Sequence, residues 1–238
     1  MALWIIAALA SAFIKGLCGV GDAPVFSSIL AFRHDNIEIT PVSLLMSLPT
    51  NIYMAWRDRK ALKRSIWLPL SVMIVAGSFL GTLLLKNTDT HVLKIWFGFF
   101  IILIGVLLLI NELSTTKRKA SKVMLVIIGI LAGITSGLFG IAVLLVVYFT
   151  QTTENLKEFK GNICMVFAVE NFSRLILYIA TGIINAANLK QAAITYPFIL
   201  IGLFFGIKSS AFLDERKAKI VIMITLIFSG IFIVATNL

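Results

Sequence analysis

The sequence contains few charged residues. They make up 13% of its 238 residues, whereas hydrophobic residues make up 59%. A soluble domain usually has about a quarter of its residues charged, because its surface must be wetted. This shortage excludes an ordinary soluble enzyme, and the mean hydropathy of +1.00 excludes intrinsic disorder. The composition indicates an integral membrane protein whose surroundings are the lipid bilayer.

Residues that form disulfides or bind metals are also scarce. The chain has two cysteines and two histidines; Cys18 and Cys164 lie in apolar runs, and His34 and His91 lie in loops. This pattern provides neither a disulfide framework nor the ligand spacing of a zinc site. The sequence also contains no P-loop and no cluster of a nucleophile with a base. We therefore predict no cofactor, no ATP-driven step and no enzymatic activity.

The formal net charge is +10. On a soluble protein this excess would suggest nucleic acid, but basic residues of membrane proteins collect in cytoplasmic loops, and we predict no nucleic-acid partner. Trp4, Trp56 and Trp67 lie near the ends of apolar runs, where interfacial anchors are found. The pattern indicates no particular oligomeric state.

Eight apolar runs alternate with short polar segments. A helix needs about 20 apolar residues to cross the hydrocarbon core, and most runs fit one crossing. The first and fifth are longer, with 31 and 27 residues, and each is interrupted by glycine near its middle. The runs are Ala2–Phe32, Ile39–Trp56, Ile66–Leu85, Val92–Ile110, Val123–Phe149, Ile163–Ala180, Ala192–Phe212 and Ile220–Ala235.

The two halves of the chain repeat the same features in the same order. Such an ordered series at a nearly constant offset indicates internal duplication. Gly16–Gly21 matches Gly137–Ala142 at an offset of 121, Asn51 matches Asn171 at 120, and Gly77/Gly81 matches Gly202/Gly206 at 125. We predict a first transmembrane repeat over residues 1–111, a basic cytoplasmic linker over 112–122, and a second transmembrane repeat over 123–238.

The distribution of lysine and arginine distinguishes two topologies. If all eight runs cross the membrane, the two sides carry ten and nine basic residues. If the first and fifth runs are re-entrant hairpins, one side carries fifteen and the other four. The positive-inside rule favours the hairpins. The fifteen lie in the loops Arg57–Arg64, Glu112–Lys122, Thr150–Lys160 and Lys208–Lys219.

The predicted fold is therefore an all-α polytopic membrane protein with six crossings and two hairpins. Each half has a glycine-broken hairpin plus three transmembrane helices, so the halves face opposite ways. This inverted repeat is the architecture of many secondary transporters. Half-helices of about 14 residues, roughly 21 Å long, would reach past the midplane and meet near the centre of the membrane.

The glycine motifs carry a family resemblance. The pattern Gly16-Leu-x-Gly-Val-Gly21 followed by Pro24, its echo at Gly137–Ala142, and four apolar segments per half resemble the TauE/SafE sulfite exporter family over essentially the whole chain. Asp22 follows Gly21 where the family pattern continues with glycine.

The resemblance implies a multi-pass secondary transporter in a bacterial or archaeal cytoplasmic membrane. Its substrate would be sulfite, a small organosulfonate or another sulfur-containing anion. Family members include exporters and importers, and we expect export, driven by a proton or by the membrane potential. An anion channel and a transporter of a non-sulfur organic anion remain the alternatives.

Candidate anion ligands lie in the hairpins and in the helices that follow them. Gly19, Gly21, Gly137 and Gly140 would let backbone N–H groups at a helix N-terminus approach an oxyanion. The amides of Asn51 and Asn171 could donate to sulfonate oxygens, or could instead hold a hairpin in place by an interhelical hydrogen bond. For Gly77, Gly81, Gly202 and Gly206 we favour a role in helix packing.

Four charged residues lie within or beside the apolar runs. Lys15 and Asp22 flank the first motif; they could pair across the turn, or Lys15 could contact the anion while Asp22 carries a proton. We favour Asp22 as the N-cap of the second half-helix. Glu170 and Arg174 lie four residues apart on one helix face. They could form a self-neutralising pair, or Arg174 could attract the anion while Glu170 couples to a proton.

Overall fold

A computed structural model describes residues 1–30, 33–34, 36–85 and 143–212, with scattered residues between 95 and 133 and between 217 and 235. Every regular element in these ranges is helical, which confirms the all-α class. Only scattered residues of the fourth and eighth predicted segments and of the first part of the fifth are described. The helices are α1 Ala2–Cys18, α2 Asp22–Leu30, α3 Asn36–Arg57, a 3-10 turn Arg59–Ala61, α4 Arg64–Leu85, α5 Val143–Thr152, α6 Leu156–Ala180 and α7 Ala186–Ser210.

Two of the described helices, α6 and α7, are long and apolar enough to cross a membrane. Each has 25 residues, or about 37 Å of helix rise. Both begin at an asparagine N-cap: Asn155 accepts from the N–H of Glu158, and Asn185 forms a reciprocal capping box with Asn188. These caps satisfy backbone donors that would otherwise have no helical partner.

The first apolar run folds as the predicted helical hairpin. Gly19 and Gly21 have φ angles of +85° and +93°, a conformation that glycine adopts without strain. The chain then runs back along α1, as shown by the ring of Phe26, which lies 5.7 Å from that of Trp4. The arms are unequal, with 17 residues in α1 and 9 in α2, rather than two arms of about 14.

Trp4 closes the open end of this hairpin. Its Nε1–H donates to Nε2 of His34 at 3.0 Å, and the residue is only 6% exposed. The prediction that Trp4 is an interfacial anchor is therefore wrong, because the indole finds both its apolar contact and its hydrogen-bond partner inside the protein. Since His34 accepts at Nε2, its neutral ring carries the proton on Nδ1, which faces Glu38 at 3.0 Å.

Helix α1 packs along α7 through small residues. A Cβ at Gly202 would lie 2.5 Å from the carbonyl oxygen of Leu9, and a Cβ at Gly206 would contact the carbonyl oxygen of Phe13. On the facing helix, a Cβ at Gly16 would lie 2.6 Å from the carbonyl oxygen of Leu203. The predicted packing role of Gly202 and Gly206 is confirmed, since the two backbones approach too closely for side chains.

The described helices recur at the offsets of the sequence repeat. Helices α2, α3 and α4 begin 121, 120 and 122 residues before α5, α6 and α7. Their contacts recur as well: α3 packs against α6, and the contact of α3 with α7 is matched by that of α4 with α6. Gly202 packs against Ala12, and Gly133, the counterpart of Ala12, packs against Gly77, the counterpart of Gly202. The same contact therefore occurs twice, with the halves exchanged.

The basic loop between α3 and α4 is held against the beginning of α6. The amide of Asn162 accepts from the backbone N–H of Lys63 at 2.9 Å and donates to the carbonyl of Ala61 at 3.2 Å. Lys63 Nζ lies 2.9 Å from Oε1 of Glu158. The hydrogen bond to this carboxylate raises the pKa of Lys63, because it favours the charged ammonium. These contacts place the α3–α4 loop and the α5–α6 connection at the same end of the helices.

Candidate functional site

The hairpin turn brings two predicted site residues, Lys15 and Asp22, into direct contact. Lys15 Nζ lies 2.6 Å from Oδ2 of Asp22, and the hydroxyl of Ser47 on α3 donates to the same oxygen at 2.5 Å. Lys15 is 1% exposed. A buried ammonium is strongly destabilising without a negative partner. The alternative in which the two residues pair across the turn is therefore confirmed.

Asp22 does not take the N-cap position that we favoured for it. Helix α2 begins at Asp22 itself, and the carbonyl of Gly21 accepts the first helical hydrogen bond, from Val25 N–H at 3.2 Å. Gly21 therefore caps the helix. The physical reason is that the carboxylate of Asp22 is oriented toward the ammonium of Lys15, since a charge-assisted hydrogen bond is stronger than a bond to a neutral backbone N–H.

A small cleft opens beside this ion pair, with room for about one water molecule in its enclosed part and a wall that is mostly apolar. Hydroxyl groups dominate the polar part of its wall, and most of their protons are already engaged. Thr50 donates to backbone carbonyls one turn earlier on α3, at 2.9 and 3.1 Å, and Ser11 donates to Ala8 O at 3.2 Å. The lining residues are Ser11, Ala12, Lys15, Asp22, Phe26, Ser43, Met46, Ser47, Thr50 and Ile199.

A second buried lysine, Lys160 of α6, holds the end of α1. Its ammonium donates to the carbonyl of Gly16 at 3.1 Å, and the residue is 2% exposed. Cys164, one turn further along α6, donates to the carbonyl of Gly19 at 3.3 Å. A cation at this position is favourable because the last carbonyls of a helix carry partial negative charge.

Lys160 was not among the predicted site residues, because the range Thr150–Lys160 was interpreted as an aqueous loop. The pattern Asn155-x-x-Glu158 was a signal that could have corrected this. An asparagine followed three residues later by glutamate favours a helix start, which puts Lys160 within the helix. Ser47 was also missed, although Ser43, Ser47 and Asn51 are spaced four apart along one apolar run, so that they share a helix face.

The predicted glycines of the first hairpin have defined roles in the turn. The N–H of Gly19 donates to Lys15 O at 2.6 Å and so caps α1. The Cβ that Gly19 lacks would lie 2.7 Å from Cγ of Lys160, so this face of the turn is already in contact with α6. Gly137 and Gly140, the predicted ligands from the second hairpin, lie outside the described residues.

The two predicted asparagines lie on helices that pack against each other. Asn51 on α3 is 1% exposed, and its Oδ1 accepts no hydrogen bond from the part of the chain that is described. Asn171 on α6 is also buried. A buried amide oxygen without a donor is rare, because it costs desolvation energy without recovering a hydrogen bond. Oδ1 of Asn51 is therefore a buried acceptor without a donor among the described residues.

Glu170 and Arg174 form the ion pair that their spacing suggested. Arg174 Nη2 donates to Oε1 of Glu170, and the two side chains are 12% and 4% exposed. The pair lies on α6, the helix that also carries Asn171 and Lys160. Its two charges neutralise each other within one helix face, as a buried pair requires.

Comparison with known proteins identifies the family. The chain gave no significant match to curated proteins, and none to solved structures. The sequence model of the family described as Sulfite exporter TauE/SafE matches residues 3–233, which is nearly the whole chain. This family is a family of membrane transporters, and the apolar helices of the structure agree with that setting. The chain therefore belongs to the TauE/SafE family of sulfite exporters.

Proposed function

We propose that this chain is a secondary transporter that exports sulfite or a small organosulfonate across the cytoplasmic membrane. The observation that carries the proposal is the buried Lys15 beside a small cleft with hydroxyl groups in its wall, at the turn of the first hairpin. A buried ammonium with hydroxyl groups around it can hold an oxyanion without a metal. Asn51 lies on α3, the helix that contributes Ser43, Ser47 and Thr50 to the cleft, and its amide NH2 group could donate to the anion.

The contacts of the basic loops support an inverted repeat. If all eight segments crossed the membrane, the loops Arg57–Arg64 and Thr150–Lys160 would lie on opposite sides. They lie together at one end of the helices, with Lys63 paired to Glu158. His34 lies at the other end of α3, beside Trp4. This is the arrangement expected when the first and fifth segments are re-entrant hairpins.

The exchanged contacts between the halves support transport by alternating access. Contacts that recur with the halves swapped are expected when a pseudo-two-fold axis relates the repeats. The anion would bind near the midplane, between the hairpins, and one repeat would rock against the other. In this arrangement Gly21 of the first hairpin and Gly137 and Gly140 of the second would let backbone N–H groups approach the anion.

The proposal is tested first by binding. Purified full-length protein is screened by thermal shift against sulfite, sulfate, thiosulfate, sulfoacetate and short carboxylates. We expect stabilisation by sulfite or a sulfonate, lost on Lys15→Met and weakened on Asn51→Ala and Asn171→Ala. Lys190→Met removes the same charge at an exposed position and serves as the matched control. Normal binding by the Lys15 and asparagine variants would show that the site is elsewhere.

Transport is then measured in proteoliposomes. We expect saturable flux of radiolabelled sulfite, and accumulation against its own gradient when a proton gradient or a membrane potential is imposed. Flux that never saturates and never runs uphill would identify an anion channel instead. Stabilisation by carboxylates alone would point to a non-sulfur organic anion as the substrate.

A further inference from the structure

We propose that Asp22 competes with the transported anion for Lys15, and that a proton on Asp22 is what releases Lys15 to the anion. The inference rests on the proposed function and adds the identity of the coupling ion. The observation behind it is that Lys15, the cation facing the cleft, already has a negative partner. Its ammonium lies 2.6 Å from the carboxylate of Asp22, and the Lys15 side chain is only 2% exposed. A guest anion therefore meets a site whose positive charge is in use.

Charge balance determines what must happen when an anion enters. With the anion and the charged carboxylate both present, one ammonium would face two negative groups in a buried site, and the second charge would be uncompensated. With a proton on Asp22, the cleft again holds one cation and one anion. Binding then takes up one monovalent anion and one proton: the proton bonds to the carboxylate of Asp22, and the ammonium of Lys15 exchanges its carboxylate partner for the anion.

Ser47 gives the neutral form of Asp22 a partner. In the structure its hydroxyl donates to Oδ2 of Asp22 at 2.5 Å. A hydroxyl can rotate to accept as well as donate, so a protonated Asp22 can donate back to the oxygen of Ser47. The hydroxyl of Ser43 lines the same cleft and can turn toward the anion's oxygens.

Other titratable groups near the turn are engaged elsewhere. From α6, Lys160 donates to the carbonyl of Gly16 and Cys164 to that of Gly19. Cys18 at the end of α1 is fully buried. The pair of Lys15 with Asp22 is thus the ion pair that lines the cleft, and its partners can exchange without breaking a helix cap.

This exchange has a direct consequence for energetics. A monovalent sulfonate carried with one proton moves no net charge, so the membrane potential does not drive it. The flux follows the combined gradients of anion and proton, so export of a monovalent anion is driven by its own outward gradient and is opposed by an inward proton gradient. A divalent anion carried with one proton moves one negative charge, and its flux responds to the potential.

The test measures protons and anions together. Methanesulfonate, sulfite and sulfoacetate are added to the purified full-length protein in weakly buffered detergent solution containing a pH indicator. We expect about one proton taken up per methanesulfonate bound, and an affinity for this non-titrating anion that falls about tenfold per pH unit where Asp22 is charged. Infrared difference spectra should show the carbonyl band of a protonated carboxyl group appearing on binding, a readout that needs only the wild-type protein.

Variants separate this inference from the proposed function. Asp22→Asn should bind the anion with no proton uptake and no pH dependence, and Lys15→Met should not bind it. Glu154→Gln, at an exposed loop carboxylate, should keep the wild-type stoichiometry. Anion binding without proton uptake in the wild type would overturn the inference alone, as would proton uptake abolished by Glu170→Gln but retained in Asp22→Asn. If none of the three anions bound to the protein, the proposed function would be overturned together with the inference.

Discussion

Replacing Gly19 with alanine should destabilise the protein through two contributions at the hairpin turn. The first cost is conformational, because Gly19 has a φ of +85°. An L-residue in the left-handed region costs roughly 1–2 kcal/mol. The second is steric, because the new Cβ would lie 2.7 Å from Cγ, 3.2 Å from Cβ and 3.3 Å from Cα of Lys160. Overpacking of this kind costs about 1–3 kcal/mol, so Gly19→Ala should destabilise the protein by about 2–5 kcal/mol.

Two further variants isolate these contributions. Gly182 has a φ of +70° and no atom within 4 Å of its missing Cβ, so Gly182→Ala should show the conformational cost alone. Lys160→Ala removes the Cγ atom that causes the shortest contact. The double variant Gly19→Ala/Lys160→Ala should therefore be less destabilised than the sum of the single variants, with a coupling of about 1–2 kcal/mol.

The measurement is unfolding in mixed detergent micelles, followed by circular dichroism, for the wild type and all four variants. Equal destabilisation by Gly19→Ala and Gly182→Ala would refute the steric contribution. Strict additivity of Gly19→Ala with Lys160→Ala would show that Lys160 does not lie against the turn. In either case the docking of α6 on the hairpin, as described above, would be incorrect.

Three other predictions concern helix packing and buried polar groups. Gly202→Ala places a Cβ 2.5 Å from a backbone carbonyl of α1 and should lower the free energy of unfolding by about 2–3 kcal/mol. Gly161→Ala, whose new Cβ would have its nearest atom at 3.2 Å, should cost less than half as much. Equal effects would contradict the close packing of α1 and α7. Asn162→Ala leaves two backbone groups of the α3–α4 loop without their side-chain partner and should lower the free energy of unfolding by about 1–3 kcal/mol. Hydrogen exchange in that loop should become faster. Unchanged exchange would disprove the contact. Arg174→Gln removes an ion-pair partner of the buried carboxylate of Glu170 and should lower the free energy of unfolding by on the order of 3 kcal/mol. The double variant with Glu170→Gln should recover part of this stability. No recovery would show that the two charges do not compensate each other.

The sequence was sufficient to predict the first hairpin, because glycine has a direct conformational signature. Two glycines within three residues interrupt an apolar run, and both have the positive φ that only glycine adopts without strain. The spacing of Gly202 and Gly206 likewise predicted close helix packing, since small residues four apart share one helix face. Such signals are local, and they hold whatever the rest of the fold does.

The partners of the charged groups could not be predicted in this way. Lys160 contacts Gly16, which precedes it by 144 residues, and Ser47 reaches Asp22 across 25 residues. Such contacts depend on how α3 and α6 pack against the hairpin, and no periodicity encodes that packing. The cap of α2 was mispredicted for the same reason. The side chain of Asp22 suits an N-cap locally, but the burial of Lys15 requires that carboxylate elsewhere.

The position of the two lysines changes how an anion would be recognised at this turn. The end of α1 carries partial negative charge on its last carbonyls, and an anion placed there without a cation would be repelled. Lys160 compensates that end through the carbonyl of Gly16, while the N–H of Gly19 is used to cap α1. The N–H of Gly19 is thus used by the turn itself. In the proposed site an anion would meet the ammonium of Lys15 together with backbone N–H groups at the start of α2. Since that ammonium already has a carboxylate partner, we expect the anion to bind by exchanging that partner.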